Sequence, residues 1–225
     1  MSAPKYILPL QEAFKSQAEP ILAAQMKDYM RGQFAYFGLK APVRKELTRM
    51  HRNKGGLIPE EEKEVIVKWC WNQPQREYQY FAMEMLDKVV KREESSIIVL
   101  YEYMITTKSW WDTIDYIATH LVGPYFKKFP DQIIPLTNRW MSSENVWLQR
   151  TCLLFQLKYK KDLNVALLEE FIEHLRLSKE FFIRKAIGWV LREYSKTNPD
   201  YVIDYVDKND LSGLSKREAL KWINR

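Results

Sequence analysis

Two residues in the run Lys108–Asp115 have side chains suited to chemistry: Trp111 and Asp115. They lie four positions apart, so on a helix they share one face. A carboxylate can stabilise positive charge that develops during a reaction, and an aromatic ring can hold a cation. Of the adjacent tryptophans, we expect Trp110 in the core and Trp111 on this face. An Asp one turn into a helix also interacts favourably with the helix dipole, so spacing alone leaves a structural role open.

A second segment, Phe181–Arg192, combines rings and cations. Four of its residues share one helix face and alternate between aromatic and basic: Phe182, Lys185, Trp189 and Arg192. The cations of such a stripe can contact phosphates, and its rings can stack on a base or hold a cation. Core packing explains the aromatic residues but not the interleaved cations, although Phe181 or Phe182 also suits an ordinary core. Gly188 thins the helix beside Trp189.

An internal repeat relates these segments. The run Trp147–Tyr159 aligns with Phe182–Tyr194 at an offset of 35 residues, which places Arg150 over Lys185, and one further step back reaches Asp115. A fixed period of this size is typical of helical solenoids, whose stacked units share one face. The three charged side chains are therefore expected to line up. Either a structural ion-pair ladder or a site would account for such a row.

The elements that must position these residues are predicted to be helices throughout, because apolar residues recur at three- and four-residue spacing. Ser109 to Asp112 and Ser215 to Glu218 both fit capping boxes. No linker or change in composition divides the chain, so we expect a single domain over 1–225. Helices are predicted to begin near Pro4, Pro20, Pro42, Pro59, Gln75, Glu93, Ser109, Pro124, Asp131, Ser143, Asn164, Ser178, Asn198 and Ser215.

Composition excludes several classes of protein and site. With 46% hydrophobic and 28% charged residues and only 7 Gly, the 225-residue chain is neither collagen-like nor broadly disordered. It has no Gly-rich phosphate loop and no GxSxG motif. His51, His120 and His174 are isolated, so no metal site is predicted. Cys70 and Cys152 form no CxxC pair and are expected to be buried thiols in a reducing cytosol.

Charge and hydropathy indicate the kind of partner. Lys and Arg number 35 against 29 Asp and Glu, a net charge of +6 that favours polyanions such as nucleic acid. No apolar run approaches membrane-spanning length, and no signal-peptide core is seen. We therefore expect a cytoplasmic protein without membrane contact.

Three runs in this order resemble the AlkD family of bacterial alkylpurine DNA glycosylases: Lys108-Ser-Trp-Trp-Asp-Thr-Ile-Asp115, Asn145-Val-Trp-Leu-Gln-Arg150 and Ser178-Lys-Glu-Phe-Phe-Ile-Arg-Lys-Ala-Ile-Gly-Trp-Val-Leu-Arg-Glu-Tyr194. The similarity extends over nearly the whole chain. The resemblance implies an all-α, HEAT-like helical-repeat solenoid with a concave basic face that binds duplex DNA. It further implies excision of 3- and 7-alkylpurines without metal or cofactor, by a bacterial monomer that associates with the nucleoid when bound to DNA.

The resemblance also implies a role for each site residue. Asp115 becomes the catalytic carboxylate beside Trp111, Trp189 the second aromatic residue and Arg150 the cation beside the carboxylate. Lys40 stands where the family pattern has glutamine. The expected DNA contacts are Tyr29, Lys40, Phe181, Phe182, Lys185 and Arg192, with Arg150 and Lys185 anchoring flanking phosphates.

The residues favour the same chemistry, because an alkylated purine is cationic and leaves without a proton. One carboxylate and no paired acid then suffice, with Asp115 stabilising the oxocarbenium-like sugar. Two alternatives stay open. One is a non-catalytic DNA-binding solenoid of the same fold, and the other is a helical-repeat scaffold that binds proteins.

Overall fold

The structure, a computed structural model, describes residues 4–224 and divides into two compact units after Val89. Helices account for nearly all of its regular structure, which confirms the all-α prediction. Over the described residues, the only extended pairing is a single bridge between Ala35 and Gln75. The prediction of one domain over 1–225 stays a prediction.

Over its described residues, the first unit contains five α-helices: α1 (Leu8–Ser16), α2 (Pro20–Tyr29), α3 (Ala41–Gly55), α4 (Lys63–Asn72) and α5 (Arg76–Asp87). Its core is aromatic, with Phe14 5.7 Å from Tyr78 between ring centres. Trp71 and Phe81 are also fully buried in this unit. Aromatic side chains bury about 150–250 Å² each, so these rings supply much of the hydrophobic stabilisation.

The second unit contains the remaining helices of the described chain: α6 (Ile98–Thr106), α7 (Trp111–Tyr116), α8 (Gly123–Lys128), α9 (Ile133–Ser142), α10 (Val146–Leu154), α11 (Val165–Leu175), α12 (Phe181–Tyr194), α13 (Pro199–Lys208) and α14 (Gly213–Leu220). A π-helical stretch, Ile117–Val122, joins α7 to α8 in one helical run. Phe126 and Phe155 pack at 4.8 Å within the core of this unit.

Polar contacts in the second unit recur at the period seen in the sequence. Arg150 binds Asp115, 35 residues earlier, and Lys127 contacts Asp162 across the same separation. The Tyr159 hydroxyl donates to the carbonyl of Gly123, 36 residues earlier. Successive helix pairs therefore stack on one another, as a helical repeat requires.

Helix caps agree with the sequence at two of the predicted starts and differ at two others. Asn164 and Asn198 cap α11 and α13 by accepting backbone N–H groups. The Ser109 capping box is wrong, because the Ser109 hydroxyl donates back to the carbonyl of Ile105 at 2.5 Å. The Ser215 box is also wrong, because α14 begins two residues earlier and is capped by Ser212.

Gly188 lets α12 and α14 approach closely. A Cβ atom at this position would lie 2.5 Å from the Glu218 Cβ and 2.8 Å from the Ser215 carbonyl oxygen, both in α14. Gly188→Ala is therefore expected to lower the free energy of unfolding by about 1–3 kcal/mol, despite the better helix propensity of Ala. Urea denaturation measures this change.

Gly213 provides the matched control for that substitution. A Cβ atom there meets nothing within 4 Å, so Gly213→Ala is expected to be neutral or to stabilise by up to about 1 kcal/mol. If Gly188→Ala were as stable as Gly213→Ala, the close approach would not constrain the packing of α12 on α14.

Candidate active site

A bidentate ion pair joins Asp115 of α7 to Arg150 of α10. The Arg150 Nε donates to one carboxylate oxygen at 2.7 Å and Nη2 donates to the other at 2.9 Å. The third guanidinium nitrogen, Nη1, donates to the backbone carbonyl of Phe182. Because three points fix the guanidinium, the carboxylate is held in one orientation. The 35-residue offset correctly predicted that Asp115 and Arg150 lie together.

Burial decides what each partner can do. The Asp115 side chain is 17% exposed, whereas that of Arg150 is only 5% exposed. Arg150 is thus too enclosed to anchor a flanking phosphate, and that expectation gives way to a role in orienting Asp115. Asp115 keeps an accessible edge.

The electrostatics of the pair follow from the same geometry. Burial raises the pKa of Asp115 above its ordinary value, and the neighbouring Arg150 guanidinium opposes that rise. Asp112 adds a smaller contribution that also raises this pKa. The carboxylate is therefore a stronger base than an exposed aspartate and still has a cation to stabilise its charged form.

Three aromatic rings pack beside the ion pair and form a closed triangle. The ring centre of Phe182 lies 5.1 Å from that of Trp110 and 5.0 Å from that of Trp147. The two tryptophans are 5.8 Å apart. Since the Phe182 carbonyl binds Arg150, the triangle also fixes an acceptor of the guanidinium. Trp110 is only part-buried, so placing it in the core was wrong.

The sequence analysis did not single out Trp147, although a signal for it was present. The 35-residue alignment sets Trp147 directly over Phe182, and these are the two rings that meet. Equivalent positions in stacked repeats lie side by side, so the alignment itself predicts such contacts.

Trp111 and Trp189 are both part-exposed. Trp111 lies one turn before Asp115 on α7, and Trp189 lies on α12. Phe181, at the start of α12, is 52% exposed. Part of each of these three side chains is therefore exposed to solvent.

The cations of the α12 stripe converge on one carboxylate of α14. Lys185 and Arg192 each lie 2.9 Å from an oxygen of Glu218. The hydrogen bond from Lys185 is the main reason that the pKa of Glu218 is lowered. Lys185 thus pairs with Glu218, and the expected row of Asp115, Arg150 and Lys185 is realised only for the first two.

In the first unit, the predicted DNA contacts Tyr29 and Lys40 lie on the surface. Tyr29, at the end of α2, is 73% exposed, and Lys40, just before α3, is exposed as well. That either side chain contacts DNA remains a prediction. Their exposure makes both side chains accessible.

A buried carboxylate that the sequence analysis missed holds the loop before Lys40. One oxygen of Glu77 accepts the backbone N–H groups of Phe37, Gly38 and Leu39 at 3.0–3.3 Å. Gly38 has φ of +88°, and a Cβ there would lie 2.2 Å from the Glu19 carbonyl oxygen. Glycine is therefore required at this turn.

Two classes of site find no support in the part of the chain that the structure describes. No group of three or more His, Cys, Asp or Glu side chains is arranged to hold a metal ion. Residues 4–224 also contain no helix with the length and apolar character that a membrane crossing needs. Cys70 and Cys152 are buried, and burial raises the pKa of both thiols.

Comparison with known proteins places this geometry in context. The profile of a family described as DNA alkylation repair enzyme matches residues 10–223. A solved structure described as a predicted DNA alkylation repair enzyme from Enterococcus faecalis superposes with a TM-score of 0.85 at 32% sequence identity. The match covers 93% of this chain and 98% of that one. No curated protein matches the sequence.

Proposed function

The chain belongs to the DNA alkylation repair enzyme family, and we propose that it hydrolyses the N-glycosidic bond of 3- and 7-alkylpurines in duplex DNA. Substrates of this class include 3-methyladenine and 7-methylguanine. The observation that carries the proposal is the oriented carboxylate of Asp115, held by two hydrogen bonds from Arg150 and still 17% exposed.

The chemistry of the lesion explains why one carboxylate suffices. Alkylation at N3 or N7 leaves the purine positively charged, so the base departs as a neutral molecule and needs no proton from the protein. Positive charge then develops on the deoxyribose. A fixed carboxylate stabilises that charge and positions the attacking water, and fixed charges of this kind contribute strongly to catalysis.

Arg150 holds Asp115 in place during this reaction. Its three hydrogen bonds, to both carboxylate oxygens and to the Phe182 carbonyl, restrict the carboxylate to one orientation. Positioning a catalytic group in advance lowers the barrier because no reorganisation is needed as charge develops.

The part-exposed rings supply the second element of recognition. Trp111 and Trp189 would hold the cationic nucleoside, at about 0.5–2 kcal/mol for each cation–π contact. Exposed Tyr29, Lys40 and Phe181 would contact the lesion or the backbone. Lys185 and Arg192 share the single charge of Glu218, so the three groups together retain a net positive charge for phosphates.

Base release from a duplex that carries one 7-methylguanine tests the proposal. We expect free 7-methylguanine in the presence of the protein and no guanine release from the matching unmodified duplex. Salt-sensitive binding without release would favour the non-catalytic DNA binder. The absence of any salt-sensitive DNA binding would favour a protein-binding scaffold.

A further inference from the structure

Four lysines from three separate parts of the second unit surround one cavity of about 540 Å³: Lys91, Lys127, Lys128 and Lys158. All four side chains are exposed. Thr119, Pro124 and Tyr159 form the rest of its walls. None of the residues that line this lysine cavity is among those assigned to the reaction.

Most of the positive charge in the lysine cavity is not neutralised within the described residues. Lys127 has a carboxylate partner, Asp162 at 3.3 Å. The Lys128 ammonium donates to the backbone carbonyls of Lys91 and Glu93, which carry no net charge. Lys158 lies 2.6 Å from the Nε2 of His120. Like charges held together favour an anion.

The His120 contact keeps that charge in place. Because the Lys158 ammonium is a donor only, His120 must accept it at Nε2 and carry its own proton on Nδ1, as a neutral ring. The Nδ1–H then donates to the Thr119 hydroxyl at 2.9 Å, and that hydroxyl donates to the Asp115 carbonyl at 2.7 Å.

The hydroxyls of Thr119 and Tyr159 already donate to backbone carbonyls. The lysines are therefore the groups that would bind a ligand in the lysine cavity. The Tyr159 hydroxyl donates to the Gly123 carbonyl, and its ring lies 4.4 Å from the Lys127 ammonium. Lysine ammonium groups donate to phosphate oxygens, and such contacts position a protein on a duplex without reading its sequence. The cavity is also larger than a single phosphate, as a run of phosphodiesters requires.

The lysine cavity lies along the helical run that begins with α7. Its wall residue Thr119 is one turn after Asp115 and donates to the Asp115 carbonyl, whereas Lys127 follows Asp115 by twelve residues. The cavity therefore extends along the same run that carries the candidate catalytic carboxylate.

We propose that the lysine cavity binds the phosphate backbone of the duplex that flanks the lesion. This inference rests on the proposed function, since it takes DNA as the ligand. It adds a contact to the flanking backbone that is independent of the chemical step.

The test compares two double variants with the same change in charge. Lys91→Gln with Lys158→Gln removes two ammonium groups from the lysine cavity. Lys196→Gln with Lys208→Gln removes two exposed lysines that pair with Glu193 and Asp204 outside it. Affinity for an undamaged 30-base-pair duplex is measured by fluorescence anisotropy over a range of salt concentrations.

The cavity variant is expected to reduce the slope of log affinity against log salt by about 2, since each lost phosphate contact lowers it by about 0.9. The control variant is expected to keep the wild-type slope. Equal slopes for all three proteins would overturn the inference.

A titration with sodium pyrophosphate separates the backbone from a free anion. Pyrophosphate binding that is lost in the cavity variant, together with an unchanged DNA slope, would assign the cavity to a small anion and overturn the backbone inference. Base release under saturating protein separates this inference from the proposed function. If the cavity variant alters the salt slope but the wild type releases no base, the proposed activity is refuted and the cavity inference stands. If the wild type releases the base but the cavity variant keeps the wild-type slope, the cavity inference alone is refuted.

Discussion

Asp115→Asn is expected to lower the rate of 7-methylguanine release by about 10²- to 10³-fold, the loss typical of removing one electrostatic stabiliser of a transition state. Asparagine keeps the shape of the side chain and can accept one of the two hydrogen bonds from Arg150, but it lacks the negative charge that stabilises the sugar cation in the proposed mechanism. Single-turnover release under saturating protein measures the effect, because it isolates the chemical step from binding and product release.

Asp112→Asn is the matched control for this prediction. Asp112 lies on the same helix, three residues before Asp115, and undergoes the same chemical change. It is expected to keep release within a few-fold of the wild type, and duplex binding by both variants should stay close to that of the wild type. Equal losses in the two variants would show that overall negative charge, rather than the oriented carboxylate, governs the rate.

Arg150→Met is expected to lower both stability and activity. It leaves a largely buried carboxylate without its cation, and loss of one partner from a buried pair costs about 3–5 kcal/mol. Because Asp115 retains some exposure, we expect about 2–4 kcal/mol. Urea denaturation at neutral pH measures the loss.

The pH dependence of release gives Arg150→Met a second readout. Burial already raises the pKa of Asp115, and Arg150 opposes that rise. In the proposed mechanism only the ionised carboxylate is active, so activity is expected to fall as the pH drops through this pKa. Removing the guanidinium raises the pKa further, and the acid limb of the rate profile should move to higher pH. Stability shows the opposite trend at this site, since protonation of Asp115 relieves the cost of burying its charge.

Arg139→Met is the control for that substitution. Arg139 pairs with Glu102, but its side chain is 60% exposed. Exposed pairs contribute about 0–1 kcal/mol, so we expect a small loss of stability and no shift in the rate profile. An unshifted acid limb in Arg150→Met, with a stability equal to that of Arg139→Met, would contradict the role of Arg150.

The sequence predicted those parts of the fold that depend on local patterns. Apolar periodicity fixes helices, and Asn164 and Asn198 cap helices because their side chains accept nearby backbone N–H groups. The two serine capping boxes failed for different reasons, the first because the Ser109 hydroxyl donates to the Ile105 carbonyl four residues earlier and the second because of a tertiary contact. The acidic residue at the end of the second box, Glu218, binds Lys185 and Arg192 of α12, and no local pattern reports such a competing partner.

The predictable contacts of the candidate site are those between residues at equivalent positions of the repeat. A period of 35 residues brought Asp115 to Arg150 and Trp147 to Phe182, because equivalent positions of stacked repeats are neighbours. The burial of Arg150 was not predictable, since the spacing does not reveal how deep a side chain lies. Neither was the lysine cavity, whose four members are spread over Lys91–Lys158 without a shared motif.

The products of the wild-type reaction test the central claim most directly. After incubation with a duplex that carries one 7-methylguanine, mass spectrometry would quantify the free base and the strand from which it came. We predict one free 7-methylguanine for each abasic site, with the strand unbroken until alkali is added. Recovery of an intact strand with guanine restored and no free base would contradict the account, because the methyl group and not the base would have been removed.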